Sequence, residues 1–198
     1  MRTIEIQGKR RDQLGKRSTK FLRREAMVPA IVLDNGKATH VSLDYLSAQS
    51  ILYTPHKYIV NLSVEGEQYD VIIRDAQFHP VTDKILHIDF LRISKDKEVE
   101  VALPVKLIGT PAGVKKGGKV AIKMRLLKVM GIPYELPEAL GVNVESLELG
   151  GTIKVRDLDI KGITITSPAS TAIATVEIPR SLRSAQTKAA AEERKSDK

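Results

Sequence analysis

Up to about residue 93, apolar and polar positions alternate along the chain in short runs, which is typical of half-buried β-strands. In Arg2–Gln7, for example, Ile4 and Ile6 fall on one face. The pattern predicts strands at Arg2–Gln7, Met27–Leu33, His40–Leu43, Tyr58–Val64, Tyr69–Phe78 and Ile85–Ile93. The sequence Asp34-Asn35-Gly36 is a strong turn signal between two of them. We therefore predict an antiparallel α+β or barrel-like domain in this region.

Two short helices are predicted between these strands. Ser18 or Thr19 is a candidate N-cap for a helix that runs through Glu25, because a hydroxyl can accept a hydrogen bond from the first free amides of a helix. The apolar side of this helix consists of Phe21, Leu22 and Ala26. Asp44 is a candidate N-cap for a second helix that ends near Leu52.

The rest of the chain is richer in β-branched residues and glycine and predicts a second, β-rich domain. Its predicted strands are Val99–Ile108, Lys119–Val129, Val142–Val144, Ile153–Val155, Ile163–Thr166 and Thr171–Ile178. Seven of the eight aromatic residues precede the charged stretch Ser94–Glu98, and only Tyr134 follows it. We therefore predict domains at 1–94 and 95–180, and a disordered or frayed helical tail at 181–198. The fold class is mainly β with short helices (α+β).

Composition excludes several classes of protein. The sequence contains no Cys, which excludes a disulfide scaffold, thiolate catalysis, Cys-ligated zinc and iron–sulfur clusters. No apolar run approaches the roughly 18–20 residues that a membrane-spanning helix needs. The first eleven residues lack the apolar stretch of a signal peptide. We expect a soluble, cytoplasmic protein with no membrane contact, no cofactor and no small-molecule substrate.

Positive charge is concentrated at the beginning of the chain. The formal net charge is +8, and residues 1–24 contribute nine cations and two anions. Clustered cations release counterions from a phosphate-rich polymer, which drives binding. The cations and neighbouring hydroxyls that we single out are Arg10, Arg11, Lys16, Arg17, Ser18, Thr19, Lys20, Arg23 and Arg24. The pattern favours a nucleic acid or another polyanion as partner over a solvated basic face without one.

Four polar side chains lie on two predicted strands that a turn connects. Gln77 and His79 share one face by the period of two, and so do His87 and Asp89. Such groups can read base edges by hydrogen bonding. The alternatives are a hydrolase or metal enzyme that uses His79, His87 and Asp89, and a surface pair of strands with a structural role only.

A glycine- and lysine-rich stretch, GTPAGVKKGG at residues 109–118, lies between two strands of the second domain. Glycines with lysines can hold a phosphate through backbone amides. A mobile connection between the strands is the alternative interpretation.

Together these pieces resemble a known family, the bacterial large-subunit ribosomal protein that binds 5S ribosomal RNA, in its long two-domain form (the general stress protein CTC family). The matching stretches are GKRSTKFLRR at residues 15–24, VPAI at 28–31, AQFHPV at 76–81, ILHIDFLRI at 85–93, LPVKLIGTPAGVKKGG at 103–118 and LELGGTIKVRDL at 147–158. The similarity covers nearly the whole chain apart from the tail.

The resemblance implies a structural, non-catalytic RNA-binding protein. Its first domain would be an antiparallel β-barrel with two or three helices that binds loop E of 5S rRNA. Its second domain would contact 23S rRNA and neighbouring large-subunit proteins near the central protuberance. By position, Arg11, Lys16, Lys20, Arg23 and Arg24 would contact phosphates, and Ser18 and Thr19 would help at the helix start. Arg74, Gln77 and His79 would lie on the RNA-facing strand, and His87 and Asp89 would reach base edges.

The sequence departs from the family pattern at a few positions. Phe21 and Phe78 stand where the family often has basic residues, and Leu33-Asp34 stands where it often has Tyr-Gly. We therefore expect fewer charged contacts to RNA than in some relatives. A protein that acts off the ribosome, through its second domain and in stress, is a further alternative.

Overall fold

The computed structural model describes residues 1–34, 36–94, 97–158, 160 and 162–179. The strands are β1 (Arg2–Arg10), β2 (Met27–Asp34), β3 (Lys37–Asp44), β4 (Tyr58–Val64), β5 (Glu67–Phe78), β6 (Ile85–Arg92), β7 (Val99–Ile108), β8 (Lys119–Ile122), β9 (Leu126–Gly131), β10 (Leu140–Asn143), β11 (Thr152–Lys154), β12 (Thr164–Ile165) and β13 (Ala172–Glu177). The helices are α1 (Lys16–Arg24), α2 (Tyr45–Leu52) and α3 (Ala112–Lys115), with a 3₁₀ turn at Val155–Asp157. The predicted fold class, mainly β with short helices, is confirmed. The predicted tail, 181–198, lies outside the described residues.

The chain forms two compact units. The first consists of Met1–Leu103 and Met130–Glu138, and the second of Pro104–Val129 and the described residues from Ala139 onward. The domain boundary at residues 94 and 95 stays a prediction. In the described part of the chain, no helix has the length and apolar character that crossing a membrane requires.

The first unit contains a closed barrel of six strands in the order β1-β3-β2-β6-β5-β4. Four of the neighbouring pairs are antiparallel, while β1 runs parallel to β4 and β2 runs parallel to β6. The predicted barrel is therefore confirmed, with two parallel pairs that the hairpin signals do not reveal. Closure leaves no free strand edge in the barrel.

Alternating apolar side chains fill the barrel, as the period of two requires. The largest buried side chains of its core include Leu43, Leu62, Ile88 and Phe90. Helix α2 closes over this core with Ala48 and Ile51 buried. The predicted cap of α2 is confirmed, because the Asp44 carboxylate accepts hydrogen bonds from the backbone amides of Leu46 and Ser47 at 3.0 and 3.3 Å.

The segment Met130–Glu138, which begins with the last two residues of β9, belongs to the first unit together with the barrel. The Tyr134 hydroxyl donates to the Asp70 carboxylate at 2.8 Å, and burial together with this bond raises the pKa of Tyr134 to about 12. The guanidinium of Arg2 pairs with Glu138 at 2.7 Å. Tyr134, the only aromatic residue that follows Ser94–Glu98 in the sequence, is therefore part of the first unit.

Strands β7 to β13 form two small sheets. One has the order β10-β7-β9-β12 and the other has the order β11-β13-β8. The predicted single strand Lys119–Val129 is wrong, because the chain leaves one sheet after β8 and enters the other at β9. The turn between them is held by the amides of Lys123 and Met124, which both donate to the Ile173 carbonyl.

Candidate nucleic-acid interface

The basic segment forms a strand, a loop and a helix. Strand β1 extends to Arg10, where it pairs with Val41 of β3, so it ends three residues after the predicted strand Arg2–Gln7. Apolar alternation could not reveal this extension because Gly8, Lys9 and Arg10 are not apolar.

Helix α1 lies on the surface with no buried residue. Its cations Lys16, Arg17, Lys20, Arg23 and Arg24 are all exposed. Phe21, which the sequence assigns to the apolar side, leaves 63% of its surface exposed. The helix therefore presents a positively charged surface with an unburied aromatic ring.

The predicted hydroxyl cap of α1 is wrong. The N-cap position is Gly15, and no side chain caps the helix. Instead, Ser18 donates its hydroxyl proton to the Gln13 carbonyl at 3.0 Å, and Thr19 donates to the carbonyls of Gly15 and Lys16, both at 3.1 Å. These bonds order the loop before the helix and leave the first amides of the helix without a side-chain acceptor.

Arg23 joins α1 to the barrel. Its Nε and Nη2 atoms donate to the Leu86 carbonyl at 3.1 and 2.9 Å. Gln77 pairs with His87 and Phe78 pairs with Ile85, so Leu86 is the extra residue of a β-bulge. A bulge leaves a backbone group outside the ladder, and the Arg23 guanidinium satisfies the carbonyl that is left.

Arg11 lies close to Arg23. Its Nε is buried without a hydrogen-bond partner, and its Nη2 reaches the Gln13 carbonyl only at 3.5 Å. Burial, and then the nearby charge of Arg23, lower the pKa of the Arg11 guanidinium. Two neighbouring cations repel each other, and an anion placed between them would remove that repulsion.

Arg10 lies on another side of the barrel from this pair. It lines a small recess with Glu65, Glu67 and Tyr69. Arg10 is the last residue of β1 and lies beside these acidic residues, whereas Arg11 follows the strand and lies close to Arg23 of α1. The structure therefore separates two arginines that the sequence places together.

The polar strand face combines three of the four predicted side chains. Gln77 of β5 lies opposite His87 of β6, and the His87 Nδ1 is 2.6 Å from an Asp89 carboxylate oxygen. The side chains of His87 and Asp89 are 27% and 33% exposed. Asp75 lies opposite Asp89 and is an acidic member of this face that sequence reasoning missed. The face offers hydrogen-bonding groups of mixed kind rather than a row of cations.

His79 does not lie on the strand, because β5 ends at Phe78. Its Nδ1 accepts hydrogen bonds from the amides of Val81 and Thr82, both at 3.3 Å. The neutral ring therefore carries its proton on Nε2. The predicted sharing of a strand face by Gln77 and His79 is wrong, since His79 organises the turn after β5.

Arg74 is the extra residue of a second bulge, on β5. Ile73 pairs with Phe90 and Asp75 pairs with Asp89, so Arg74 has no partner in the ladder. The residue is exposed. A bulge changes the direction of a side chain, and no sequence signal marks this one.

No group of three or more His, Asp or Glu side chains within the described ranges is arranged to hold a metal ion. Asp89 approaches His87, while the Nδ1 of His79 is engaged by two amides. Of the three residues of the predicted metal or hydrolase alternative, His87 and Asp89 thus contact each other, while His79 is engaged in the turn after β5.

Comparison with known proteins agrees with this architecture. Residues 6–90 match the Ribosomal L25p family, and residues 98–180 match the C-terminal domain of ribosomal protein TL5. A large ribosomal subunit protein bL25 from Azobacteroides pseudotrichonymphae is 41% identical over 185 residues, which cover 93% of this chain and 98% of that protein. The bL25 proteins of Parabacteroides distasonis and Porphyromonas gingivalis are 39% and 37% identical, and each alignment covers 95% of this chain and 99–100% of the relative.

These matches extend through both parts of the chain and join the barrel to a second β-rich domain. The family consists of structural proteins of the large ribosomal subunit, not enzymes, so the hydrolase alternative is set aside. The chain belongs to the bL25 family of bacterial ribosomal proteins, in the long form that carries a TL5-type C-terminal domain.

Proposed function

We propose that this chain binds 5S rRNA at its loop E region as part of the large ribosomal subunit. The loop and helix α1 contact phosphates, and the strand face of Gln77, His87 and Asp89 contacts base edges. This division matches the general pattern in which phosphate contacts position a protein and base contacts give specificity. The second domain, in this proposal, contacts 23S rRNA and neighbouring proteins.

The observation that carries the proposal is the Arg11–Arg23 pair. A buried guanidinium nitrogen without a partner is costly, and a second cation beside it adds to the cost. A phosphate is an anion, so one that binds at the outer end of the Arg11 guanidinium would neutralise the charge of the pair. The exposed cations of α1 extend the same surface to further phosphates of the backbone.

The strand face supports specificity. Since Asp89 holds the ring of His87 through Nδ1, the Nε2 of His87 is left to face solvent or an RNA base. Regular A-form RNA keeps its major groove too narrow for side chains, whereas irregular helices expose base edges. A face with donors and acceptors from Gln77, His87 and Asp89 fits an irregular helix better than a regular one.

The test is binding of the full chain to a 5S loop E hairpin and to a fully paired duplex at several salt concentrations. About five phosphate contacts predict a slope of roughly −3 to −5 in a plot of log affinity against log salt. Asp89→Ala should reduce discrimination between the two RNAs, while Arg23→Ala should weaken both alike. Equal binding of both RNAs by the unmodified protein would contradict the proposal.

Arg11 and Arg10 provide a matched pair of variants. Arg11→Ala removes the cation with the unpartnered nitrogen, and Arg10→Ala removes the same charge beside Glu67. We expect Arg11→Ala to weaken loop E binding about tenfold, on the scale of one charge-assisted contact, and Arg10→Ala to have a much smaller effect. Equal effects would mean that only the total charge matters.

Co-sedimentation separates this proposal from the stress-related alternative. A ribosomal protein should travel with large subunits at low salt and leave them as salt is raised. A chain that stays in the soluble fraction at every salt concentration would support an off-ribosome interaction instead.

A further inference from the structure

A groove of about 300 Å³ opens beside the proposed RNA surface of the first unit. It lies between the end of α1, the start of β2, the start of α2 and the turn that joins β5 to β6. Its inner wall is apolar and includes Met27, Tyr45 and Ile85. Ile85 is buried, and Met27 and Tyr45 are partly buried. The inner wall of the groove is thus formed by side chains that are wholly or partly buried in the first unit.

Three cations, Arg23, Arg24 and Lys84, also line the groove, and no Asp or Glu does. All three are exposed, whereas the apolar wall is not. A ligand that fits must therefore combine an apolar, compact body with negative charge at its outer end. Pockets for drug-sized ligands range from about 300 to 1,000 Å³, so this groove accepts a small group and excludes a helix or a duplex.

The groove also offers directional hydrogen bonding. His79 lines it, and the two amides that occupy Nδ1 fix the neutral ring with its proton on Nε2. Thr82, in the same turn, adds a hydroxyl. A flat ring with apolar faces and hydrogen-bonding edges matches this combination, and a nucleobase is such a ring. The phosphates attached to a nucleotide match the cations.

We propose that this groove receives the base of a single unpaired nucleotide of the bound RNA, against Tyr45 and Met27, while Arg24 and Lys84 hold the adjoining phosphates. The inference rests on the proposed function, because Arg23 and Arg24 belong to the same cationic surface. Unpaired bases of irregular RNA leave the stack readily and pack against aromatic side chains. The groove would thereby fix the register of the protein on its RNA.

The test uses Thr82→Trp, which places an indole in the groove from an exposed turn position, and Val81→Trp as its matched control. Val81 is the preceding residue, is 84% exposed and does not line the groove. The RNA probe is a loop E hairpin with 2-aminopurine at one unpaired position at a time. We expect Thr82→Trp to weaken binding about tenfold, as loss of one stacked base does, and to remove the fluorescence change at one position. Val81→Trp should change the affinity for the hairpin by less than about twofold, because no stacked base is lost.

Lys84→Gln is a second variant that does not fill the groove. It should weaken hairpin binding about threefold and leave duplex binding less affected, since one phosphate contact is lost. If the unmodified protein binds the hairpin but Thr82→Trp binds equally well with the same fluorescence change, the groove inference is wrong and the proposed function stands. If the unmodified protein binds neither RNA, the proposed function fails and the inference falls with it.

A free nucleotide has the same chemistry as an RNA nucleotide, so AMP forms a separate arm of the experiment. One outcome is that AMP binds saturably, that Thr82→Trp abolishes this binding, and that no 2-aminopurine position of the RNA responds. That outcome would mean that the groove binds a free nucleotide, and it would overturn the proposal that the base comes from RNA. A 2-aminopurine response that depends on Thr82, with AMP binding too weak to saturate, supports the proposal as stated.

Discussion

Two segments of this chain look alike in sequence and differ in structure. Residues 15–24 and residues 109–118 both combine glycine, lysine and small polar residues. In the first, a Cβ added at Gly15 would meet no atom within 4 Å. In the second, a Cβ added at Gly113 would lie 2.7 Å from the backbone of Glu148 and Leu149. One glycine leaves the chain open to solvent, and the other allows two stretches of backbone to touch.

The hydrogen bonds explain the difference. The amide of Gly113 donates to the Leu147 carbonyl at 2.9 Å, and the amide of Gly118 donates to the Gly113 carbonyl at 2.9 Å. These amides are used within the second unit and are not free to hold a phosphate. The stretch is therefore a packed turn around α3, neither the phosphate loop nor the mobile connection that the sequence allows. Composition alone does not distinguish a binding loop from a packing turn, because glycine serves both.

The largest expected effect is on stability and comes from Gly113→Ala. The added methyl group must displace backbone rather than a side chain, so we expect a loss of about 2–3 kcal/mol in the free energy of unfolding, the cost of overpacking. Urea unfolding of the full chain measures it. Gly141→Ala is the control, because its methyl group would also lie 2.7 Å from a neighbour, but that neighbour is the terminal Cδ1 of Ile108. Ile108 is 54% exposed and can move, so similar losses in both variants would contradict the comparison.

The next effect is on RNA binding and contrasts the lysines of the two segments. We expect the double variant Lys16→Ala, Lys20→Ala to weaken loop E binding about tenfold at moderate salt. It should flatten the slope of log affinity against log salt by about 1.5, since each lost phosphate contact removes roughly 0.7–0.9. The double variant Lys115→Ala, Lys116→Ala makes the same charge change in the packed segment and should leave hairpin binding unaltered. Filter binding at three salt concentrations compares them, and equal slopes would refute the distinction.

The strands of the barrel were predictable because each carries its own pattern. Apolar alternation within β4 or β6 reports burial against a single core, and Asp44 reports a helix start through its side-chain chemistry. The resemblance to a ribosomal family depended on short stretches that recur in order along nearly the whole chain. The alternation and the helix cap are local features, and the family resemblance rests on sequence similarity. None of them requires knowledge of which strands pair.

The features that escaped prediction depend on contacts between distant residues. The bulges at Arg74 and Leu86 arise from the pairing register of two strands, and the bond from Arg23 to Leu86 follows from one of them. His79 was assigned to a strand because its spacing from Gln77 fits, whereas its ring binds two amides of the following turn. The candidate site residues could thus be predicted as a set from the sequence, but their individual contacts required the fold.

A smaller effect is expected for Gly15→Ala. Gly15 has φ +114° and ψ 176°, a conformation that is essentially confined to glycine, so alanine costs about 1–2 kcal/mol without any clash. The loop before α1 should shift, and loop E binding should weaken severalfold. Gly66→Ala is the matched control, since Gly66 has φ +92°, open space around it and a place in the β4–β5 turn. It should lose comparable stability but bind RNA normally, and equal RNA defects would contradict a role for Gly15 in presenting the helix.

The smallest expected effect concerns the Thr19 hydroxyl. Its single proton donates to the carbonyls of Gly15 and Lys16, so in this conformation it has none to offer a phosphate. Thr19→Val keeps the shape of the side chain, and we expect a loss of about 0.5–1 kcal/mol in stability and less than a twofold change in hairpin affinity. Paired urea unfolding and filter binding of the same preparations measure both quantities. A severalfold loss of affinity at unchanged stability would instead mean that the hydroxyl exchanges its backbone acceptors for a phosphate when RNA binds, and that the helix start itself is part of the interface.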